Sequence, residues 1–345
     1  MILVRLYQLK NMKTTQHFVT LSLLTFCCSC LTYAQSTTFK TEEAKLITSD
    51  ITNFWRMYDE LPKAESAEDS TRVLHEFYLN KASTALQEYF EIERKGNNKN
   101  IEEEYLFILR QYPKYLASIR GNTEGIQRNK DKIYKYFAKA KKLYPDFSFQ
   151  DTYFCIGFFN SGGRTMQKGG LYIGTEIFAL FDNVVLDEWE GSAWLQFFTP
   201  ITHIHNIVLH EQAHFQQSPP INNDYNLLYQ AINEGAAVFL VDLVTNGEGV
   251  TNGGGFGQRV LDYGEINEEK IWNRFKQDMY GYDQSDWLYN AGAEDWPKDL
   301  GYYVGYKICR HYYDQANDKK QALKEVFEVA DAQKLLEKSD YSSKF

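Results

Sequence analysis

The sequence predicts an α+β protein, mainly helical, with a small sheet flanking a helix that carries His210-Glu211-Gln212-Ala213-His214. Three observations predict it. Between residues 41 and 144, apolar side chains recur at three-to-four spacing with charges between them, the period of amphipathic helices. From 151 to 180 the chain turns to β-branched and aromatic residues broken by glycines, a strand composition. Beyond 200 the helical period returns and brings the two histidines onto one face.

The first element is a leader. From Met12 the chain reads MKTTQHFVTLSLLTFCCSCLTYAQS, with a basic start at Lys13, an apolar run from Phe18 to Leu31 and small residues before Gln35. The run is about 14 residues, short of the roughly 20 that span a bilayer. Residues 1–35 therefore read as a signal peptide and not as a membrane span. They imply export to the periplasm or the outside. Cys27, Cys28 and Cys30 fall inside the leader, and a lipid anchor at Cys30, after Ser29, is the alternative to free secretion. Only Cys155 and Cys309 remain beyond it, either as buried thiols or as one bridge.

Residues 36–148 read as a helical region. ITSDITNFWRMYDELP and TRVLHEFYLNKASTALQEYFEIERK precede a break at KGNNKN, and Pro113 and Pro145 punctuate the helices that follow. The second region, 149–345, begins with strands over 151–165 and 169–180, joined in hairpin fashion through Ser161-Gly162-Gly163. Thr199 and Pro200 suit the start of a helix over 200–217, which SPP at 218–220 stops. A helix over 225–244, a glycine-rich loop at 245–257, and helices near 265–278 and 300–316 complete the chain.

Composition narrows the partners. The chain is 43% hydrophobic, with 25 Tyr and 23 Phe, so it has the means to bury a core. Its net charge is −9, and −12 once residues 1–35 are gone, which argues against nucleic acid.

The motif carries the chemistry. Two imidazoles four apart on a helix converge on one tetrahedral ion, while Glu211, about 100° around, reaches a water on that ion. Chance supplies on the order of 0.01 such matches in a chain this long. Zinc needs a third protein ligand, and Glu234 is the candidate: it lies on the next helix, which SPPINNDYN lets fold back, with small Gly235, Ala236 and Ala237 to permit close approach. His203 reads as a partly buried histidine on the motif face and His205 as structural. Tyr303 and Tyr225 are the phenols that could aid an oxyanion.

His210, Glu211, His214, Asn233 and Glu234 together resemble thermolysin-like zinc peptidases, the gluzincins. That resemblance implies a Zn2+ cofactor, His210, His214 and Glu234 as metal ligands, Glu211 as general base and Tyr225 as oxyanion donor. Val238 departs from the pattern, since an aspartate there orients the first histidine; Asp242, with Asp299 behind it, is nominated instead. Over most of the chain, FCIGFFNSGG, GLYIGTE, VLHEQAHFQQ, INEGAAVFL and DLGYYVGYKI resemble a bacterial family of predicted zinc-dependent proteases, and more faintly a gliding-motility lipoprotein family. The implied function is a secreted zinc metallopeptidase acting on a peptide or protein substrate, with residues 149–345 as its zincin-like domain and the sheet edge as a place for an extended peptide. Two alternatives stand beside it: a zinc hydrolase of a non-peptide substrate, and a non-catalytic envelope protein of binding or assembly.

Overall fold

The helical period of the first region forms six helices. The computed structural model describes residues 44–290, 292–293 and 295–345; the leader and Cys30 lie outside the described residues. A short strand, β1 (Leu46–Ile47), leads into α1 (Ser49–Glu60), α2 (Ala67–Phe77), α3 (Thr84–Gly96), α4 (Ile101–Gln111), α5 (Pro113–Glu124) and α6 (Lys130–Leu143). Local chemistry sets their starts. Ser66, Ser83 and Asn100 each accept a backbone N–H from the first turn of the helix that follows, and Pro113 opens α5 where no N–H is needed. Phe54, Trp55 and Met57 of α1 are fully buried, which is what the apolar stripe is for.

The sheet differs from its expected form. The expected strand over 151–165 is two pieces, β2 (Thr152–Cys155) and β3 (Gly163–Met166), followed by β4 (Gly170–Gly174). The order is β1-β2-β4-β3: β1 and β4 run parallel to β2, and only β3 with β4 makes an antiparallel hairpin. Glu176 explains the break. Its carboxylate accepts the N–H of Gly157 (2.8 Å) and of Phe159 (3.2 Å), so this stretch is tied to the segment after β4 rather than to a strand. Phe159 also takes a φ of 64°, which no strand tolerates. Because β1 precedes the six helices, the two sequence regions share one sheet.

The second region holds α7 (Ile204–Ala213), α8 (Leu227–Thr245), α9 (Gly257–Asp278), α10 (Leu300–Gln315), α11 (Lys319–Phe327) and α12 (Ala332–Ser339). Tight turns at 201–203 and 214–216 flank α7, so the expected helix over 200–217 is helical from 201 to 216 but α-helical only in its middle. Asn226 caps α8 through the Tyr229 N–H, and Asn246 ends it in the left-handed conformation. α9 starts well before the expected 265.

α8 is apolar and long enough to cross a bilayer, yet 83% of its apolar window is buried inside the fold. It is the central core helix. Gly235, the first of the small residues after Glu234, is packed against a helix other than the one expected. A Cβ on Gly235 would overlap the backbone of Gly305, and a Cβ on Gly305 would overlap the Ala231 carbonyl. Small residues let two backbones approach, and here the second backbone is α10. Cys155 and Cys309 are both buried and free.

Candidate metal centre

α7 is buried on nearly every face, so the polar side chains it carries are enclosed rather than wet. His210 and His214 sit one turn apart with ring centroids 5.1 Å from each other. α8 brings Glu234 against both: its Oε2 lies 3.3 Å from His210 Nε2 and 3.6 Å from His214 Nε2. One ligand atom from each residue falls within 4.8 Å of the other two. A tetrahedral zinc with bonds of 2.0–2.2 Å sets its ligand atoms about 3.4 Å apart, so the spacing fits.

The other side of each ring decides what these atoms are. His210 Nδ1 faces the carbonyl of Gly254 at 3.2 Å, an acceptor only, so Nδ1 carries the proton. His214 Nδ1 faces Gln217 Oε1 at 2.7 Å, and Gln217 Nε2 donates to the Asn233 carbonyl at 2.6 Å, which fixes the amide orientation. In each ring Nδ1 therefore donates, which leaves Nε2 as the atom turned toward the Glu234 carboxylate. Two imidazole Nε2 atoms and one carboxylate oxygen converged in this way are a ligand set that a cation fits.

Glu234 is anchored on its far side too. Tyr289 donates its hydroxyl to Oε1 at 2.5 Å. Burial alone would raise the Glu234 carboxyl, but His214, His210 and Tyr289 outweigh it and hold it at about 2. Glu211 behaves in the opposite way. Burial pushes it up to about 7, with His214 pulling down and Glu234 pushing up. Its carboxyl lies against Gly163 of β3, where any Cβ would collide with it. No described residue hydrogen-bonds to it. Glu211 stands instead at the middle of a cleft of three adjoining cavities, about 430, 710 and 650 Å³, each walled in part by Glu211 and Tyr302.

Two expected partners are elsewhere. Asp242, nominated to orient His210, is taken by Arg310 and by the Tyr306 hydroxyl (3.2 Å). Asp299 sits in the cleft wall and not behind the ring. The Gly254 carbonyl does the orienting, because the glycine-rich loop lies over α8 there: Gly255 packs so close to Val238 that a Cβ would sit 3.0 Å from its methyl. Tyr225 is 45% exposed at the cleft mouth, its ring edge-on to Tyr229. The phenol that reaches the ligand set is that of Tyr289, which sequence reading did not find. Tyr302 packs its ring on His210 with centroids 6.2 Å apart. Tyr303 points into the core beside Phe256. His203 lines the cleft, whereas His205 is buried edge-on to Tyr136 and burial pushes it down to about 3.

A family model described as "Gliding motility protein GldB" matches residues 39–343, and the chain belongs to that family. No curated protein and no solved structure matches. The match corrects the reading taken from the motif. The chain is not a member of the zinc-dependent protease family that it resembles, and the metallopeptidase function drawn from that resemblance does not stand. The gluzincin pattern is local, five residues within a short stretch, whereas the family match runs almost the whole described length. It agrees with the non-catalytic envelope reading that stood as an alternative.

Proposed function

We propose that the protein is a metal-holding lipoprotein of the cell envelope that serves gliding motility, in which His210, His214 and Glu234 bind one zinc ion. The family supports the place and the process. The observation that supports the metal is the convergence of His210 Nε2, His214 Nε2 and Glu234 Oε2 on one point, with each ring held from behind through its Nδ1. Bound there, zinc neutralises the buried carboxylate and ties α7 to α8, so the ion adds to folding free energy rather than to turnover.

Metal analysis of the purified full chain tests this. About one zinc per chain is expected in the wild type and loss of most of it in His214→Ala and Glu234→Ala. Equal zinc in all three sinks the assignment. The lipid is attached at Cys30, the cysteine that follows Ser29 in the leader. Labelling with a palmitate analogue tests that point, and label retained in Cys30→Ser removes it.

A further inference from the structure

Two segments meet at the mouth of the cleft. Leu227 and Leu228 donate their N–H groups to the carbonyls of Gly281 and Met279, both at 2.8 Å, and the Tyr282 hydroxyl reaches Asp224 at 3.0 Å. Residues 219–226 and 279–290 are thus laid side by side. Eight large hydrophobic side chains are exposed among the described residues, and five of them lie on these two segments, the rim. Tyr225 and Tyr289 line the 650 Å³ cavity of the cleft. Ile221 and Tyr280 line an adjoining cavity of about 150 Å³ that shares Tyr229 with it, and Tyr282 stands beside them. Such a concentration marks a binding surface rather than scatter.

The rim has a particular chemistry. Four of its five exposed rings and chains are tyrosines, flat faces with a polar tip. Between them lie Asn222, Asn223, Asp224, Asn226, Asp283 and Gln284, and neither segment carries a lysine or arginine. A polyanion or an anionic membrane surface finds no counter-charge here. Protein interfaces add methionine and arginine to such aromatics, and here Met279 is buried and neither segment has an arginine.

The cleft behind the rim points the same way, through a separate observation. It presents acceptors that lack donors: Asp299 Oδ1 is buried with no hydrogen-bond partner, and the Glu211 carboxylate has none among the described residues. Its two cations are engaged. Arg164 faces Glu93 at 3.4 Å, and Lys298 donates to the Gln196 carbonyl at 3.1 Å above the Phe197 ring. The walls therefore ask for a ligand rich in hydrogen-bond donors.

We propose that rim and cleft together bind a neutral glycan chain, with its C–H faces stacked on the exposed tyrosines and its hydroxyls donating to Asp299 and Glu211. A neutral glycan offers apolar faces, many O–H donors and no charge, which is what both surfaces select. The 650 Å³ cavity beside Tyr225 and Tyr289 accommodates a run of sugar units rather than one. Tyr289 belongs to the rim and also bonds to Glu234, whereas Tyr280 and Tyr282 hydrogen-bond to no zinc ligand, so in variants of those two the loss of glycan binding is separate from loss of metal.

Native electrophoresis of the full chain through gels containing soluble polysaccharide tests the proposal, with hydroxyethyl cellulose, laminarin, dextran and galactomannan as neutral probes and alginate as the anionic one. Retardation is expected by at least one neutral probe. Tyr280→Ala and Tyr282→Ala should each weaken it by about tenfold, in keeping with the loss of one stacking face. Both side chains are exposed, so these variants fold. Asp299→Asn should weaken it as well, and Ile266→Ala, exposed on α9 away from the rim, should not. Mobility unchanged by all four neutral probes overturns the proposal. So does retardation by alginate alone, retardation that the rim variants keep, or rim variants whose sole defect is loss of a co-purifying envelope protein.

Discussion

Glu176 beneath the sheet and Glu234 on α8 are both buried, and the protein treats them in opposite ways. Glu176 meets backbone: two N–H groups reach it, and they do not offset burial, which leaves it raised to about 7. Glu234 meets side chains, and two imidazoles with a phenol hold it at about 2. The contrast extends to their neighbours. Around the sheet, polar groups end on nearby backbone: Tyr78 and Tyr105 on the Ile156 carbonyl, Tyr115 on that of Glu176, Thr175 on that of Cys155. Around α7 and α8 side chains converge on one point. A carboxylate met by amides organises a fold. A carboxylate met by two metal-ligating side chains holds a place for a cation.

The sharpest way to break this contrast is to move α8. Gly305→Ala sets a methyl into the Ala231 carbonyl, backbone against backbone, where no side chain can yield. The expected cost is about 3 kcal/mol, at the upper end for overpacking, read as a fall of roughly 5–10 °C in melting temperature. Zinc content should fall with it, since α8 positions Glu234, while Glu176 and the sheet keep their packing. A variant that melts like the wild type shows that α8 and α10 are not in the contact described.

Glu176→Gln tests the other side. An amide leaves one of its N–H groups facing a backbone donor, a loss of about 1–3 kcal/mol. The pH dependence is more telling. A carboxyl raised to about 7 when folded and near 4.5 when unfolded binds more protons in the folded state between those values. Its contribution is therefore complete below the unfolded value and is lost as pH rises toward 7. Asp299, raised to about 6, slopes the same way, so the difference between the two proteins isolates Glu176. Wild-type stability should fall more steeply than that of Glu176→Gln from about pH 4.5 to 7, by up to about 3 kcal/mol. Parallel curves would mean that Glu176 stays ionised.

Much of the metal centre could be read from spacing. His210 and His214 share a helical face by period alone, and Glu234 follows because one short loop returns the chain to that face. What escaped was of three kinds. The Gly254 carbonyl that orients His210 is a group every residue owns, so no residue type announces it. Tyr289 lies 55 positions from Glu234 in a stretch without periodicity, at a φ of 55° that tyrosine rarely takes. Gly235 announced a close approach but not which helix approaches. The sheet failed for a related reason: alternation marks strands, while Glu176 decides where one stops.

The smallest expected effect separates the two tyrosines. The resemblance to zinc peptidases singled out Tyr225, whereas the structure puts the Tyr289 hydroxyl on Glu234 Oε1 at 2.5 Å. That bond leaves Oε2 free to face both imidazoles, so Tyr289 fixes which oxygen the ion sees. Tyr289→Phe keeps the ring against Tyr302 and removes only the donor. Outer partners of metal ligands are typically worth 10–100-fold in affinity, and one hydroxyl should stand near the lower figure. Zinc dissociation constants, measured by competition with a chromophoric chelator, should weaken by about tenfold in Tyr289→Phe. Tyr225→Phe should leave them unchanged, because that side chain is 45% exposed and makes no hydrogen bond to the ligands. The reverse result, with Tyr225 costly and Tyr289 neutral, would overturn the role given to the Tyr289 hydroxyl. It would also place the loop carrying Tyr289 outside the metal centre.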